Sequence, residues 1–196
     1  MWVVKLGGSL TGDPLLPQWL ALLAQLGGGR VTVVCGGGRF ADEVRHAQGV
    51  WQFDDVAAHN MAVLAMAQTA YMAQSMNPQL QLASSEDEIR RVLHAGHTAV
   101  WLPMEWTRTQ ADAMANWDVT ADSMAVHLAR QLNAERLVVV KSCEIDGSAT
   151  LARLCQAGVL DRRFASIADG AAFPISIVHK SALDSVRSLL LGERVA

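Results

Sequence analysis

Trp2-Val3-Val4-Lys5-Leu6-Gly7-Gly8-Ser9-Leu10 and Val31-Thr32-Val33-Val34-Cys35-Gly36-Gly37-Gly38-Arg39-Phe40 share one plan: an apolar run ending in a glycine-rich turn. Continuous apolarity suits strands buried on both faces, as in a parallel sheet covered by helices. Working outward from these two stretches, Leu137–Val140 and Ile175–Val178 have the same character, and Ala99–Leu102 is a weaker fifth run. Between them lie segments with helical spacing: Leu16–Leu26, Arg39–His46, Val56–Met76, Glu86–His94, Ala121–Leu132 and Ser181–Leu191. Strand then helix, repeated, predicts an α/β chain: a three-layer αβα sandwich on an open, mostly parallel sheet. Gly27, Gly28 and Gly29 read as a helix stop before a strand. No repeat or linker divides the chain, so residues 1–196 are expected to form a single domain.

Composition narrows the function. The chain has 196 residues, 51% hydrophobic and 18% charged, with a formal net charge of −3. Its charges are scattered, which argues against the broad basic footprint of a nucleic-acid binder. The longest apolar runs, such as Trp19–Leu23, are far too short for a membrane span, and Met1 leads directly into a strand, so no membrane partner and a cytoplasmic setting are expected. Cys35, Cys143 and Cys155 are odd in number and widely spaced, and read as reduced structural thiols. Asp54–Met76 is apolar over much of its circumference and needs cover on more than one side, either under the sheet or also at a subunit interface. A homo-oligomer is expected.

The chemistry should gather beyond the carboxyl ends of the strands, where loops and helix N-termini meet. Glycine lets the backbone approach a ligand closely because it has no Cβ. Two such turns on one sheet edge point to an anion, most simply phosphate. Lysine occurs only three times, at Lys5, Lys141 and Lys180. Lys5 and Lys141 close predicted strands, where an ammonium is costly unless it leaves the strand end towards a negative partner. The alternative is a lysine whose stem packs on apolar surface while its head reaches water. In Trp117-Asp118-Val119-Thr120-Ala121-Asp122-Ser123, Asp118 or Thr120 can cap the following helix, and Asp122 sits in its first turn. Capping alone does not account for the crowding of Asp118, Thr120, Asp122 and Ser123. A carboxylate near both lysines would hold their ammonium groups without touching substrate. These parts suffice for phosphoryl transfer, which needs alignment and positive charge more than a protein nucleophile. Mg2+ would bridge donor phosphates and keep several waters, so a dedicated carboxylate cage is not required.

Taken together, the motifs resemble the amino acid kinase family. Val3-Val4-Lys5-Leu6-Gly7-Gly8-Ser9 is similar to the family's N-terminal lysine and phosphate loop, and Val34-Cys35-Gly36-Gly37-Gly38-Arg39-Phe40 to its substrate-side glycine loop. Thr120-Ala121-Asp122-Ser123 resembles the segment whose aspartate organises the lysines. Lys141-Ser142-Cys143-Glu144-Ile145-Asp146-Gly147 is similar to the nucleotide segment of the uridylate-kinase branch. The resemblance implies an ATP-dependent small-molecule kinase using ATP and Mg2+, with an acceptor half at about 1–115 and a nucleotide half at about 116–196. It implies catalytic roles for Lys5, Asp122 and Lys141, and nucleotide contacts from Gly7, Gly8, Ser9, Ser142, Asp146 and Gly147. Gly36, Gly37, Gly38, Arg39, Asp118 and Thr120 would meet the acceptor. His59-Asn60-Met61-Ala62 and Trp117-Asp118-Val119-Thr120 resemble the branch of small kinases in methanofuran synthesis. Those act on (5-(aminomethyl)furan-3-yl)methyl phosphate; in that case Asp118 or Asp122 would face the acceptor's ammonium, and Arg39, Gly37 and Gly38 its phosphate. Uridylate, acetylglutamate and isopentenyl phosphate kinases are the other family readings. The family usually ends in a Gly-Thr-x-Ile strand, whereas this sequence closes with Gly192-Glu193-Arg194-Val195-Ala196.

Two other readings compete. Gly36-x-Gly38-x-x-Ala41 fits a dinucleotide fingerprint, with Asp54 or Asp55 as a ribose-binding acid, but leaves Lys5, Lys141 and Asp122 without a role. A non-enzymatic oxyanion-binding protein would use the same turns. No histidine spacing predicts a metal site; His94-x-x-His97 is nearest, and Gly96 breaks the helix between them. Trp101, Trp106 and Trp117 read as core or pocket wall rather than a base-stacking platform.

Overall fold

The computed structural model describes residues 1–110 and 112–193. Six strands, β1 (Trp2–Leu6), β2 (Val31–Cys35), β3 (Leu80–Ala83), β4 (Thr98–Trp101), β5 (Arg136–Lys141) and β6 (Ile175–His179), form one sheet in the order β3-β4-β2-β1-β5-β6. Every pairing is parallel. The connecting helices are α1 (Leu16–Leu26), α2 (Gly38–Trp51), α3 (Asp55–Met76), α4 (Glu86–His94), α5 (Ala121–Gln131), α6 (Leu151–Gln156), α7 (Phe164–Ala168) and α8 (Leu183–Leu191). The expected doubly covered parallel sheet is therefore present. Of the closing Gly192–Ala196 stretch, residues 194–196 lie outside the described residues.

Strand alternation divides the core in two. Val3, Leu137 and Val139 join the apolar cluster built on α5, with Ala125, Leu128 and Phe164. Val4, Leu6, Val138 and Val140 join the cluster built on α1 and α8, with Trp19, Leu23 and Leu190. Side chains two apart on a strand share a face. Lys5 therefore projects with Val3, and Lys141 with Val139, towards α5. The pairing of Lys5 with Val139 puts Lys141 two residues further along the neighbouring strand. With ~3.3 Å rise per residue and ~4.8 Å between strands, their Cα atoms lie about 8 Å apart, a gap that one carboxylate can bridge.

Chain direction across the sheet reverses between β1 and β5. From β1 the chain moves outward through β2, whereas from β5 it moves the other way to β6. Loops that diverge from a pair of parallel strands leave a crevice at their carboxyl ends. The two lysines stand at the rim of that crevice.

Three elements were not expected from sequence. β3 is a four-residue strand at one edge of the sheet. Helices α6 and α7 have six and five residues, too short to show a period. Helix α2 runs on to Trp51 rather than stopping near His46, and ends at Gln52 in a left-handed conformation, φ 55°. α3 supplies Val63 and Met66 to the first cluster and Ala67, Ala70 and Ala73 to the second. Its outer face still leaves Met61, Leu64, Tyr71 and Met76 exposed.

Candidate active site

The two glycine turns are joined backbone to backbone. Gly7 N–H donates to Val140 O, and Gly36 N–H donates to Leu6 O, each at 3.0 Å, continuing the ladder into the turns. A Cβ on Gly36 would stand 2.5 Å from Gly8 N, and one on Gly8 would stand 2.6 Å from Gly38 N. Only residues without a Cβ permit this approach. Gly38 also has φ +55°, the left-handed region. The turns thus form one continuous surface, with Gly37 and Gly38 opening α2, whose first-turn N–H groups lack intrahelical partners. This packing, rather than a pyrophosphate-binding fingerprint, accounts for the spacing of Gly36 and Gly38. The dinucleotide reading therefore loses its main support.

Beside the turns, Lys5 Nζ lies 2.6 Å from Asp122 Oδ1, and Lys141 Nζ lies 2.7 Å from Asp122 Oδ2. Lys5 and Asp122 are buried, 4% and 3% exposed, and Lys141 is largely covered. Burial lowers the Lys5 pKa; the Asp122 charge opposes this and the Lys141 charge adds to it. Burial alone would raise the Asp122 carboxyl, but the two ammonium charges outweigh it and hold it below its ordinary value. Asp122 occupies the first turn of α5, where the helix dipole also favours negative charge. Thr120 is the N-cap residue, and its hydroxyl accepts from Asp122 N–H at 3.3 Å. Both lysines donate to one acceptor, so each keeps ammonium hydrogens for a second anion.

A cleft of roughly 300 Å³ opens in front of this bridge. Lys5, Asp122 and Lys141 line one end with Gly7, Gly8 and Ser9, and Gly36, Gly37, Gly38 and Thr120 also face it. Its far wall is apolar α3 surface, Ala58, Ala62, Val63 and Met66. Trp117 closes another side; its ring N–H donates to Gln48 Oε1 at 2.6 Å, and the Arg45 guanidinium lies 4.3 Å from the ring centroid. Asp42 and Asp55 contribute carboxylates to the lining. Ser142 stands at the edge, its hydroxyl 2.9 Å from that of Ser9.

Several expected contacts lie elsewhere. Arg39 is exposed, its guanidinium lies beside Gly12, and it is not part of the cleft lining. Asp118 pairs with Arg162 at 3.2 Å and is not part of the lining. Asp146 is exposed and accepts from Ser148 N–H and Oγ, and Gly147 is likewise exposed and outside the lining. Sequence reasoning did not single out Asp42, Arg45 or Gln48; their positions on α2 after the second turn were the available signal. Among the described residues no group of three or more His, Cys, Asp or Glu side chains forms a cation cage. The rim instead offers ammonium groups, hydroxyls and turn N–H groups, which suit phosphate oxygens.

Comparison with known proteins agrees with this geometry. Residues 1–146 match the profile of the Amino acid kinase family. The chain is 24% identical over 149 residues to [5-(aminomethyl)furan-3-yl]methyl phosphate kinase of Methanocaldococcus jannaschii, covering 75% of this chain and 67% of that protein. Uridylate kinase from Archaeoglobus fulgidus superposes with a TM-score of 0.72 at 18% identity, covering 99% of this chain and 97% of the other. UMP kinase from Bacillus anthracis gives 0.73 at 16% identity, covering 98% and 92%. An isopentenyl phosphate kinase gives 0.67 at 13% identity, covering 100% and 98%.

Proposed function

The chain belongs to the amino acid kinase family and is a small-molecule phosphotransferase, and from that premise we propose that it uses ATP to phosphorylate (5-(aminomethyl)furan-3-yl)methyl phosphate to the diphosphate. The observation that carries the proposal is the Lys5–Asp122–Lys141 bridge at the head of the cleft. An acceptor phosphate oxygen donates an electron pair to the γ-phosphorus of ATP to form the new bond; the bond from that phosphorus to the β,γ-bridging oxygen breaks, and ADP departs with the pair of the broken bond. Negative charge spread over the migrating group is met by the Lys5 and Lys141 ammonium groups and by the turn N–H groups. Asp122 holds both lysines, one on each carboxylate oxygen. Mg2+ bound with ATP would neutralise phosphate charge beside the two lysines.

The acceptor end supports a flat ring that carries a cation. Trp117 and the apolar side chains of α3 suit the ring, and Asp55 suits a primary ammonium. This assigns ammonium recognition to Asp55, which accepts from the neutral Gln48 amide, rather than to Asp42 or Asp118, which are engaged by Arg45 and Arg162. The exposed Met61, Leu64 and Tyr71 on α3 favour a homo-oligomer paired through that helix, which sedimentation of the chain reads directly.

The test is ADP formation from ATP with this phosphate, UMP, acetylglutamate and isopentenyl phosphate as separate acceptors. The proposal expects the aminomethyl-furan phosphate to give the highest kcat/KM, and Trp117→Ala to raise its KM with little change in KM for ATP. Preference for another acceptor replaces the substrate assignment. No ADP above background with any of them leaves an oxyanion-binding protein.

A further inference from the structure

We propose that Asp161 is a positioning residue for phosphoryl transfer, holding the N-terminal turn of α5 so that Asp122 meets both lysines. Asp161 Oδ2 accepts from Thr120 N–H at 2.9 Å, Thr120 Oγ1 at 3.0 Å and Ser123 N–H at 3.0 Å, and Oδ1 accepts from Ser123 Oγ at 2.5 Å. These four bonds bracket Asp122 in sequence. Asp161 lies between α6 and α7, and is itself fixed by buried Leu160 and Phe164 on either side. Phe164 N–H returns to Asp161 O at 3.1 Å. The same segment grips the approach to α5 a second time: Arg163 N–H donates to Asp118 O at 3.1 Å, and Arg162 pairs with Asp118.

This arrangement does more than cap a helix. Thr120 already serves as the N-cap, so the cap function does not require an acid 41 residues away. Asp161 takes both the N-cap residue and the residue after Asp122, which fixes the rotation of the first turn. A turn that rotates moves Asp122 off one lysine or the other. Misplacement of about 1 Å at such a centre costs ~10²-fold in rate. The carboxylate also adds negative charge near Lys5. Lys5 is faced by Asp122 from α5, Lys141 from β5, Asp161 from the α6–α7 segment and the neutral Cys35 thiol from β2.

The inference rests on the phosphotransfer reading, and two readouts separate them. With only three lysines in the chain, isotope-labelled lysine side chains give three assignable sets of NMR signals, from Lys5, Lys141 and Lys180. Asp161→Ala is expected to shift the Lys5 and Lys141 signals and leave Lys180 in place. It should lower kcat at least about tenfold with KM for ATP changed less than about threefold, the signature of a group acting on the transition state. Asp161→Asn can keep all four hydrogen bonds, its Nδ2 donating to a rotated Ser123 hydroxyl. It is expected to restore most of kcat at neutral pH while moving the Lys5 titration and the alkaline limb of kcat to lower pH. Folded Asp161→Ala with unchanged lysine signals and kcat overturns the proposal. If that variant does not fold, Ser123→Ala, which removes the Ser123 hydroxyl bond to Asp161 Oδ1, decides: unchanged Lys5 and Lys141 signals together with unchanged kcat overturn the proposal. If wild-type protein makes no ADP with any acceptor, the kinase reading falls, and the lysine signals still decide the role of Asp161.

Discussion

Lys5 and Lys141 extend from adjacent parallel strands to opposite oxygens of one carboxylate, at 2.6 and 2.7 Å. Two ammonium groups this close repel, and the repulsion is worth more out of water than in it. Asp122 offsets it and leaves the bridge with net positive charge, which an incoming phosphoryl group can complete. The relation is a product of strand register and parity, since both side chains emerge on the α5 face.

Replacing Asp122 by Asn removes the offset while keeping the shape. The buried lysines then lack a counter-ion, so the variant should lose ~3–5 kcal/mol of stability, the range for breaking a buried ion pair from one side. Activity should fall ~10²–10³-fold as the ammonium groups separate. Urea unfolding and steady-state kinetics on the same preparation check both; a variant of wild-type stability and rate shows that the bridge is decorative.

Alkaline pH should silence the enzyme before it unfolds. Burial, with help from Lys141, lowers the Lys5 pKa below its ordinary 10.5 despite the opposing Asp122. Lys5 therefore sheds its proton, and kcat falls, at a pH below that value. The folding linkage has the opposite sign: between the folded and unfolded lysine pKa the unfolded chain binds more protons, so this group makes stability rise with pH. At the acid end, the depressed Asp122 carboxyl contributes stability that is fully present above its unfolded value and lost as pH falls through the folded one. Paired kcat and melting measurements across pH test the separation; an alkaline loss of rate that tracks unfolding contradicts it.

Glycine substitutions should split sharply by position. Gly36→Ala places a Cβ 2.5 Å from Gly8 N and 2.8 Å from Gly8 Cα, both backbone atoms that cannot swing aside. The turns must part, with an overpacking cost of ~1–3 kcal/mol and a higher KM for ATP and acceptor. Gly49→Ala, within α2 and facing open space, should instead stabilise by ~0.4–1 kcal/mol and leave kinetics unchanged. Thermal melts of the two variants decide.

Much of this was legible locally. β1 and β2 have the bounds that their apolar runs predict, and the lysines announced themselves by scarcity and by their places at strand ends. β3 was not legible, because Leu80-Gln81-Leu82-Ala83 is a short edge strand with little apolar run to detect. Asp161 was invisible for a different reason: its partners Thr120 and Ser123 lie 41 and 38 residues away, and no local spacing encodes a contact made only by folding. Arg39 is the reverse case: the family resemblance puts it at the acceptor loop, whereas its guanidinium lies beside Gly12 and outside the cleft lining.

The most direct measurement is single-turnover phosphoryl transfer from ATP by Lys5→Met and Lys141→Met, with ATP affinity determined separately on each variant. If both ammonium groups act on the migrating phosphoryl, each loss should slow transfer ~10²–10³-fold, about 3–4 kcal/mol, while ATP affinity changes far less. Transfer within about threefold of wild type in either variant, or a loss confined to ATP binding, contradicts the account.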